Sequence, residues 1–177
     1  MNESALLYGP LEVAKALATL SANILAQRSE PPALVGIRRG GAIMATRLAS
    51  LMAVSLGAAP PLGAVDINLY RDDWTRARAL PKVGRTEIKF SLDHRRVILV
   101  DDVLYTGRTV RAALEELSGF GRPARVELAV LVDRGQREMP IQADFAAFTV
   151  TVGQDEVVEV CFAQEGEEDR ILLLKKA

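Results

Sequence analysis

A chain of 177 residues, one quarter of them charged and with a net charge of −1, has the size and balance of a single globular domain over residues 1–177. The near-neutral charge argues against a dedicated nucleic-acid binder; no apolar run reaches transmembrane length, and the N-terminus lacks a secretory pattern. The single cysteine, Cys161, excludes an intramolecular disulfide or a cysteine-based zinc cluster and points to a reducing cytoplasm.

The first predicted element is a helix over 10–27, opened by Pro10 and carrying an apolar stripe at Leu11, Ala14, Leu17, Leu20, Ile24 and Leu25. Pro31 and Pro32 break it. A short apolar strand, Ala33–Ile37, then runs into Arg38-Arg39-Gly40-Gly41, with a second amphipathic helix over 42–56. Leu62–Leu69 reads as the next strand, with Asp66 and Asn68 at its exit. Residues 70–86 have no apolar period and are rich in Arg, Asp and Pro; a loop that long and charged is usually functional. Thr86–Phe90 reads as a short returning strand. A strand and helix fill 97–119, and His94 before them reads as solvated surface. Another strand, Arg125–Val132, ends in Asp133-Arg134-Gly135. Beyond it, Phe145–Val152, Val157–Phe162 and Ile171–Leu174 are strands without intervening helices, and Cys161 reads as core. The order predicts an α/β fold with a mostly parallel sheet flanked by helices, to which the C-terminal third adds edge or hairpin strands.

Residues 97–109, Val-Ile-Leu-Val-Asp-Asp-Val-Leu-Tyr-Thr-Gly-Arg-Thr, carry the most chemistry. Four β-formers make a buried strand, and two carboxylates follow at its exit, where open α/β sheets bind ligands. The turn with Thr106, Gly107 and Thr109 leads into a helix, whose free N–H groups and positive dipole end suit a phosphate. Asp101 and Asp102 would repel phosphate but suit sugar hydroxyls or a metal-bound diol. The combination describes a phosphorylated-sugar site, and the rival Gly-x-x-x-x-Gly-Lys-[Ser/Thr] motif is absent. At Arg38-Arg39-Gly40-Gly41, paired arginines offer forked donors to an anion beside a backbone that can close on it.

The stretch resembles the phosphoribosyl pyrophosphate (PRPP) signature of type I phosphoribosyltransferases. Together with Leu69-Tyr70-Arg71-Asp72-Asp73, Gly121-Arg122-Pro123 and Leu131-Val132-Asp133-Arg134-Gly135, it is similar to the PyrR family, from about residue 10 to residue 145. Members of that family are described as pyrimidine operon attenuators and uracil phosphoribosyltransferases. Tyr105 fits that family, whereas purine-type relatives carry an Asp there. The resemblance implies a type I phosphoribosyltransferase fold, with a β-rich C-terminal hood and a long flexible loop that closes over PRPP. It also implies transfer from PRPP to uracil, giving UMP and pyrophosphate. Asp101 and Asp102 would hold the ribose and, through water, Mg²⁺. Tyr105, Thr106, Gly107, Arg108 and Thr109 would take the 5′-phosphate. Arg38, Arg39, Gly40 and Gly41, with Tyr70 and Arg71, would take the pyrophosphate. Asp133, Arg134, Arg137, Met139 and Ile141 would take uracil, and the chain would form a homodimer or homotetramer.

Some positions depart from the family. The pyrophosphate loop reads Gly-Ile-Arg-Arg-Gly-Gly in place of Gly-Ile-[Lys/His]-Thr-Arg-Gly. Family Thr and His positions of the first helix are Ala18 and Ala22, a His is Gln136, and a Gly-Lys-Asn stretch is Ala147-Phe148-Thr149. Of the basic RNA contacts only Arg137 remains, which argues against RNA attenuation. Two other readings stay open: a UMP-sensing RNA-binding attenuator, and a phosphoribosyltransferase for another base.

Overall fold

The computed structural model describes residues 4–67, 86–163 and 168–175. Along them run β1 (Ser4–Tyr8), α1 (Pro10–Gln27), β2 (Ala33–Ile37), α2 (Gly40–Leu56), β3 (Leu62–Val65), β4 (Arg96–Leu104), α3 (Arg108–Ser118), β5 (Arg125–Asp133), β6 (Phe145–Thr149), β7 (Glu156–Cys161) and β8 (Arg170–Lys175). The continuous apolar runs of β2 and β4 are buried, as strands covered on both faces must be. They are neighbours in a five-stranded sheet of order β3-β2-β4-β5-β6, in which every adjacent pair is parallel. From β2 the chain winds outward to β3; from β4 it winds the other way to β5 and β6. The order therefore reverses between β2 and β4, and a crevice opens at their carboxyl ends.

Side chains alternate across the sheet with the strand period of two. Ile98 and Val100 of β4 pack with Val13, Leu17, Leu20 and Ile24 of α1 and with Met44, Leu48 and Met52 of α2. Val97 and Leu99 face the other way, toward Val110, Ala113 and Leu117 of α3. Burying these side chains is the main stabilising term, of order 1.5–3 kcal/mol for each large one. At the amino-terminal edge of β4, Arg96 and Glu127 are each only 1% exposed and paired at 2.6 Å. Arg96 also donates to the Ile24 and Glu30 carbonyls, at 3.1 and 3.4 Å. It thus satisfies an end carbonyl of α1 and pins the turn into β2.

The expected C-terminal strands divide between two sheets. Phe145–Thr149, shorter than its predicted span, extends the main sheet as a parallel edge. β7 and β8 pair antiparallel and are joined by β1 in a separate sheet of order β1-β8-β7. β1 has no counterpart in the sequence reading, because its partner lies at the far end of the chain and no local pattern names it. Thr86–Phe90 is not a strand: it contributes one antiparallel bridge, Glu87 to Ala64. Likewise β3 stops at Val65, and the expected closing loop with Tyr70 and Arg71 lies outside the described residues, which include only Thr86 of 70–86. No helix among the described residues is long and apolar enough to cross a membrane.

Candidate active site

A cleft of about 870 Å³ lies at the reversal point of the sheet. Arg38, Arg39, Gly40, Asp101, Asp102, Tyr105, Thr109 and Arg134 line it, and residues 157–162 on and just beyond β7 form another wall. Three separate strand ends thus meet in one cavity. Asp133, Arg137, Met139 and Ile141 line an adjoining hollow of about 580 Å³, and Arg134 is common to both.

β4 continues through Leu104, so Asp101 and Asp102 are strand residues and their side chains leave on opposite faces. Asp101 is 5% exposed, and its Oδ1 accepts the Asp102 N–H at 3.0 Å. Asp102 is half-buried and accepts the Val103 N–H at 3.0 Å. The amino-terminal turn of α2 presses against this pair. A Cβ on Gly40 would stand 2.0 Å from Asp102 Oδ2, and one on Gly41 would stand 2.3 Å from the Val100 carbonyl oxygen. Gly40 is therefore what lets the start of α2 lie against a carboxylate. Arg38 reaches Glu87 at 3.4 Å, while its buried Nε has no hydrogen-bond partner among the described residues. No group of three acids, histidines or cysteines placed to cage a metal occurs among the described residues. Two carboxylates beside a cationic loop suit a Mg²⁺ that keeps its water and takes its other ligands from a substrate.

The 105–109 turn opens α3 as its sequence foretells, with Gly107 at φ +89° as the N-cap. Thr106 Oγ accepts the Arg108 N–H at 3.3 Å. The 137–141 segment covers this turn: the Glu138 and Met139 N–H groups both donate to the Thr106 carbonyl at 2.9 Å, and Arg108 pairs with Glu138 at 2.6 Å.

Arg137 is bound into the loop itself. Its guanidinium donates to the carbonyls of Ile141, Tyr105 and Gly135 at 2.9 to 3.1 Å and to Asp133 Oδ2 at 2.5 Å. Burial pushes the Asp133 carboxyl up, but the Arg137 hydrogen bond, the Gly135 N–H and the Arg137 charge outweigh it, and the net shift is downward. Asp133 and Arg137 therefore shape the segment from within, and Arg134 reaches the larger cleft. Its guanidinium lies 4.0 Å from the Tyr105 ring centroid.

No pattern in the sequence marks β7 as a wall of the cleft. Cys161, expected in the core, is half-buried and lines the cleft. The wall is fastened to α2 by Arg47, which pairs with Asp169 and lies 4.9 Å from the Phe162 ring centroid. No local pattern joins residue 47 to residue 169; opposite charges on an amphipathic helix and a distant turn are the only trace.

The phosphoribosyl transferase domain family matches residues 7–161 of this chain. A bifunctional protein PyrR of Syntrophobacter fumaroxidans is 44% identical over 178 residues, spanning 99% of this chain and 96% of its own length. A protein of the same name from Desulfosudis oleivorans is 50% identical over 145 residues, 81% and 80% of the two chains. Among solved structures, the hypoxanthine phosphoribosyltransferase of Trypanosoma cruzi aligns with a TM-score of 0.71 at 15% identity over 97% of each chain. That of Staphylococcus aureus gives 0.66 at 19% identity over 86% of this chain and 80% of its own. At such identity these two likenesses concern the fold.

Proposed function

This chain belongs to the phosphoribosyl transferase family, and on that premise we propose that it is a cytoplasmic uracil phosphoribosyltransferase, forming UMP and pyrophosphate from uracil and PRPP. The observation that carries the reading is the meeting, in one cleft, of Asp101 and Asp102, of Tyr105 and Thr109 from the turn that opens α3, and of Arg38, Arg39 and Gly40. Those three parts match the sugar diol, the 5′-phosphate and the pyrophosphate of one substrate. Tyr105, the Asp133-Arg134-Gly135 segment and the PyrR relatives favour uracil over a purine.

In the reaction the C1′–oxygen bond to pyrophosphate breaks as the C1′–N1 bond to uracil forms, and the N1 proton is released. Charge builds on the departing pyrophosphate, so fixed cations there act mainly in the transition state. Arg38 and Arg39 would supply them, and the resemblance adds Tyr70 and Arg71, which lie outside the described residues. Asp101 and Asp102 would hold the ribose hydroxyls and the water shell of a Mg²⁺, whose chemistry is to neutralise the leaving group. The 105–109 turn would fix the 5′-phosphate and so orient the sugar. Uracil would lie against Arg134, Met139 and Ile141. The resemblance also implies a homodimer or homotetramer.

The test offers PRPP with uracil, guanine, xanthine or hypoxanthine and follows pyrophosphate release. Turnover with uracil supports the reading; turnover with a purine and none with uracil replaces it by the alternative base.

A second reading, RNA attenuation, is favoured by relatives named bifunctional. Against it stand Ala18 and Ala22, exposed where the family has Thr and His, and Arg137, engaged by the loop itself. Phe148, at a family Lys position, stacks on Tyr8 at 3.8 Å. Filter binding with pyrimidine-leader RNA is expected to give only weak retention; tight, UMP-dependent retention would establish the second activity.

A further inference from the structure

Arg134 is 4% exposed and lies in the wall between the two hollows. It has no carboxylate within salt-bridge distance among the described residues, and its buried Nε has no hydrogen-bond partner among them. A buried cation in that condition is costly unless something holds it for a ligand. Two contacts define its pose. The guanidinium sits over the Tyr105 ring, and Nη2 donates to Gln136 Oε1 at 3.0 Å. The other end of that amide, Gln136 Nε2, donates to the Val152 carbonyl at 3.0 Å. Gln136 itself stands at φ +58°, which costs a non-glycine residue stability. So a residue in a strained backbone position ties the base segment to the chain beyond β6, with Arg134 as its cargo.

We propose that Gln136 is a positioning residue for the base: it orients Arg134 so that the guanidinium donates to a carbonyl of an uncharged pyrimidine. The inference rests on the reading of Arg134 as a uracil contact. The amide oxygen is the working half of Gln136, since it accepts from Arg134; the amide N–H only anchors it. Glu in its place would keep the acceptor and lose the anchor, and Ala would lose both. Removing one hydrogen bond to a charged group is worth roughly a tenfold change in affinity.

The experiment is steady-state kinetics on the full chain with uracil and PRPP varied in turn, together with calorimetric binding of UMP. Gln136→Ala is expected to raise KM for uracil and weaken UMP about tenfold, with kcat and KM for PRPP within about twofold. Gln136→Glu is expected to recover most of the uracil KM. Gln136→Ala takes a hydrogen bond from a buried guanidinium and should lower the melting temperature by a few degrees, so each variant is assayed well below its own melting point. An unchanged uracil KM in Gln136→Ala overturns the proposal, as does an equal rise in KM for PRPP, which would mark a structural role through Tyr105. A Gln136→Glu variant as impaired as Gln136→Ala also overturns it, because the Val152 anchor would then be what matters. If the parent enzyme turns over a purine and not uracil, the assigned function fails first, and the same comparison on that purine tests Gln136 separately.

Discussion

A methyl group at position 40 has nowhere to go but into Asp102. Its Cβ would meet the carboxylate at 2.0 Å, and a carboxylate can rotate away. Gly40→Ala should therefore leave the fold nearly intact while turning the Asp102 carboxyl out of place, lowering kcat/KM on the order of 10²-fold. Asp102→Asn should do comparable damage by removing the charge that holds the ribose and metal waters. At position 41 the obstacle is the Val100 carbonyl, 2.3 Å away in the centre of the main sheet, and backbone in that place cannot yield. Gly41→Ala should instead lower the melting temperature and the yield of folded protein. Pyrophosphate-release kinetics and thermal melts on the three variants separate the outcomes. Near-parental activity in Gly40→Ala and Asp102→Asn would mean that the sugar lies elsewhere.

The loop from Arg134 to Ile141, just beyond β5, has no regular structure, and one guanidinium makes four of the hydrogen bonds that hold it. Arg137 closes it on Asp133, on its own carbonyls and on the phosphate turn at Tyr105. Arg137→Met keeps the volume and removes every one of those bonds, which should cost about 1.5–3 kcal/mol. It should also release the Asp133 carboxyl. With Arg137 gone, burial is left opposed only by the Gly135 N–H, so its pKa must rise from its lowered position. Because the lowered value stabilises the folded state above the ordinary Asp range and is lost as pH falls through the folded value, the variant should lose less stability on acidification than the parent. Carboxyl-carbon NMR titration of Asp133 and urea melts at two pH values give the measurement. This element also marks a limit of sequence reading. Asp133, Arg134 and Arg137 stood out as charged residues at a strand exit, but their division into scaffold and cleft-facing group depends on which carbonyls surround each guanidinium.

Across the whole molecule, the parts legible in the sequence were those with local causes. Buried β2 and β4 announced themselves as unbroken β-formers, and α1 by Leu17, Leu20 and Ile24 after Pro10, although Leu11 and Ala14 of the expected stripe are exposed and Val13 is buried instead. The acids and the 105–109 turn follow from chemistry contained within a dozen residues. The antiparallel β1-β8-β7 sheet and the Arg47–Asp169 fastening join distant segments, and no local pattern records such pairings. Arg96 and Glu127 are of the same kind: two charges in apolar strand sequences, 31 residues apart, that meet only because β4 and β5 are adjacent. Burial pushes the Glu127 carboxyl up, yet the hydrogen bond and charge of Arg96, with Arg28 and Arg125, bring it below its ordinary value. The folded state thus gains stability that is present above the usual Glu range of about 4.3 and lost as pH falls through the lower folded value. Arg96→Met leaves the buried Glu127 carboxylate with only the more exposed Arg28 and Arg125, at 3.5 and 3.3 Å, and should cost about 1.5–3 kcal/mol at neutral pH. That variant should be relatively less impaired in acid, where the less well paired carboxyl can take up a proton. Replacing both partners, Arg96→Met with Glu127→Leu, removes that buried charge and should restore part of the loss, less what the carbonyls of Ile24 and Glu30 give up. Urea denaturation of the parent, the single and the double variant at neutral and acid pH tests this. A double variant no better than Arg96→Met would show that Arg96 matters for the carbonyls at the end of α1 more than for Glu127.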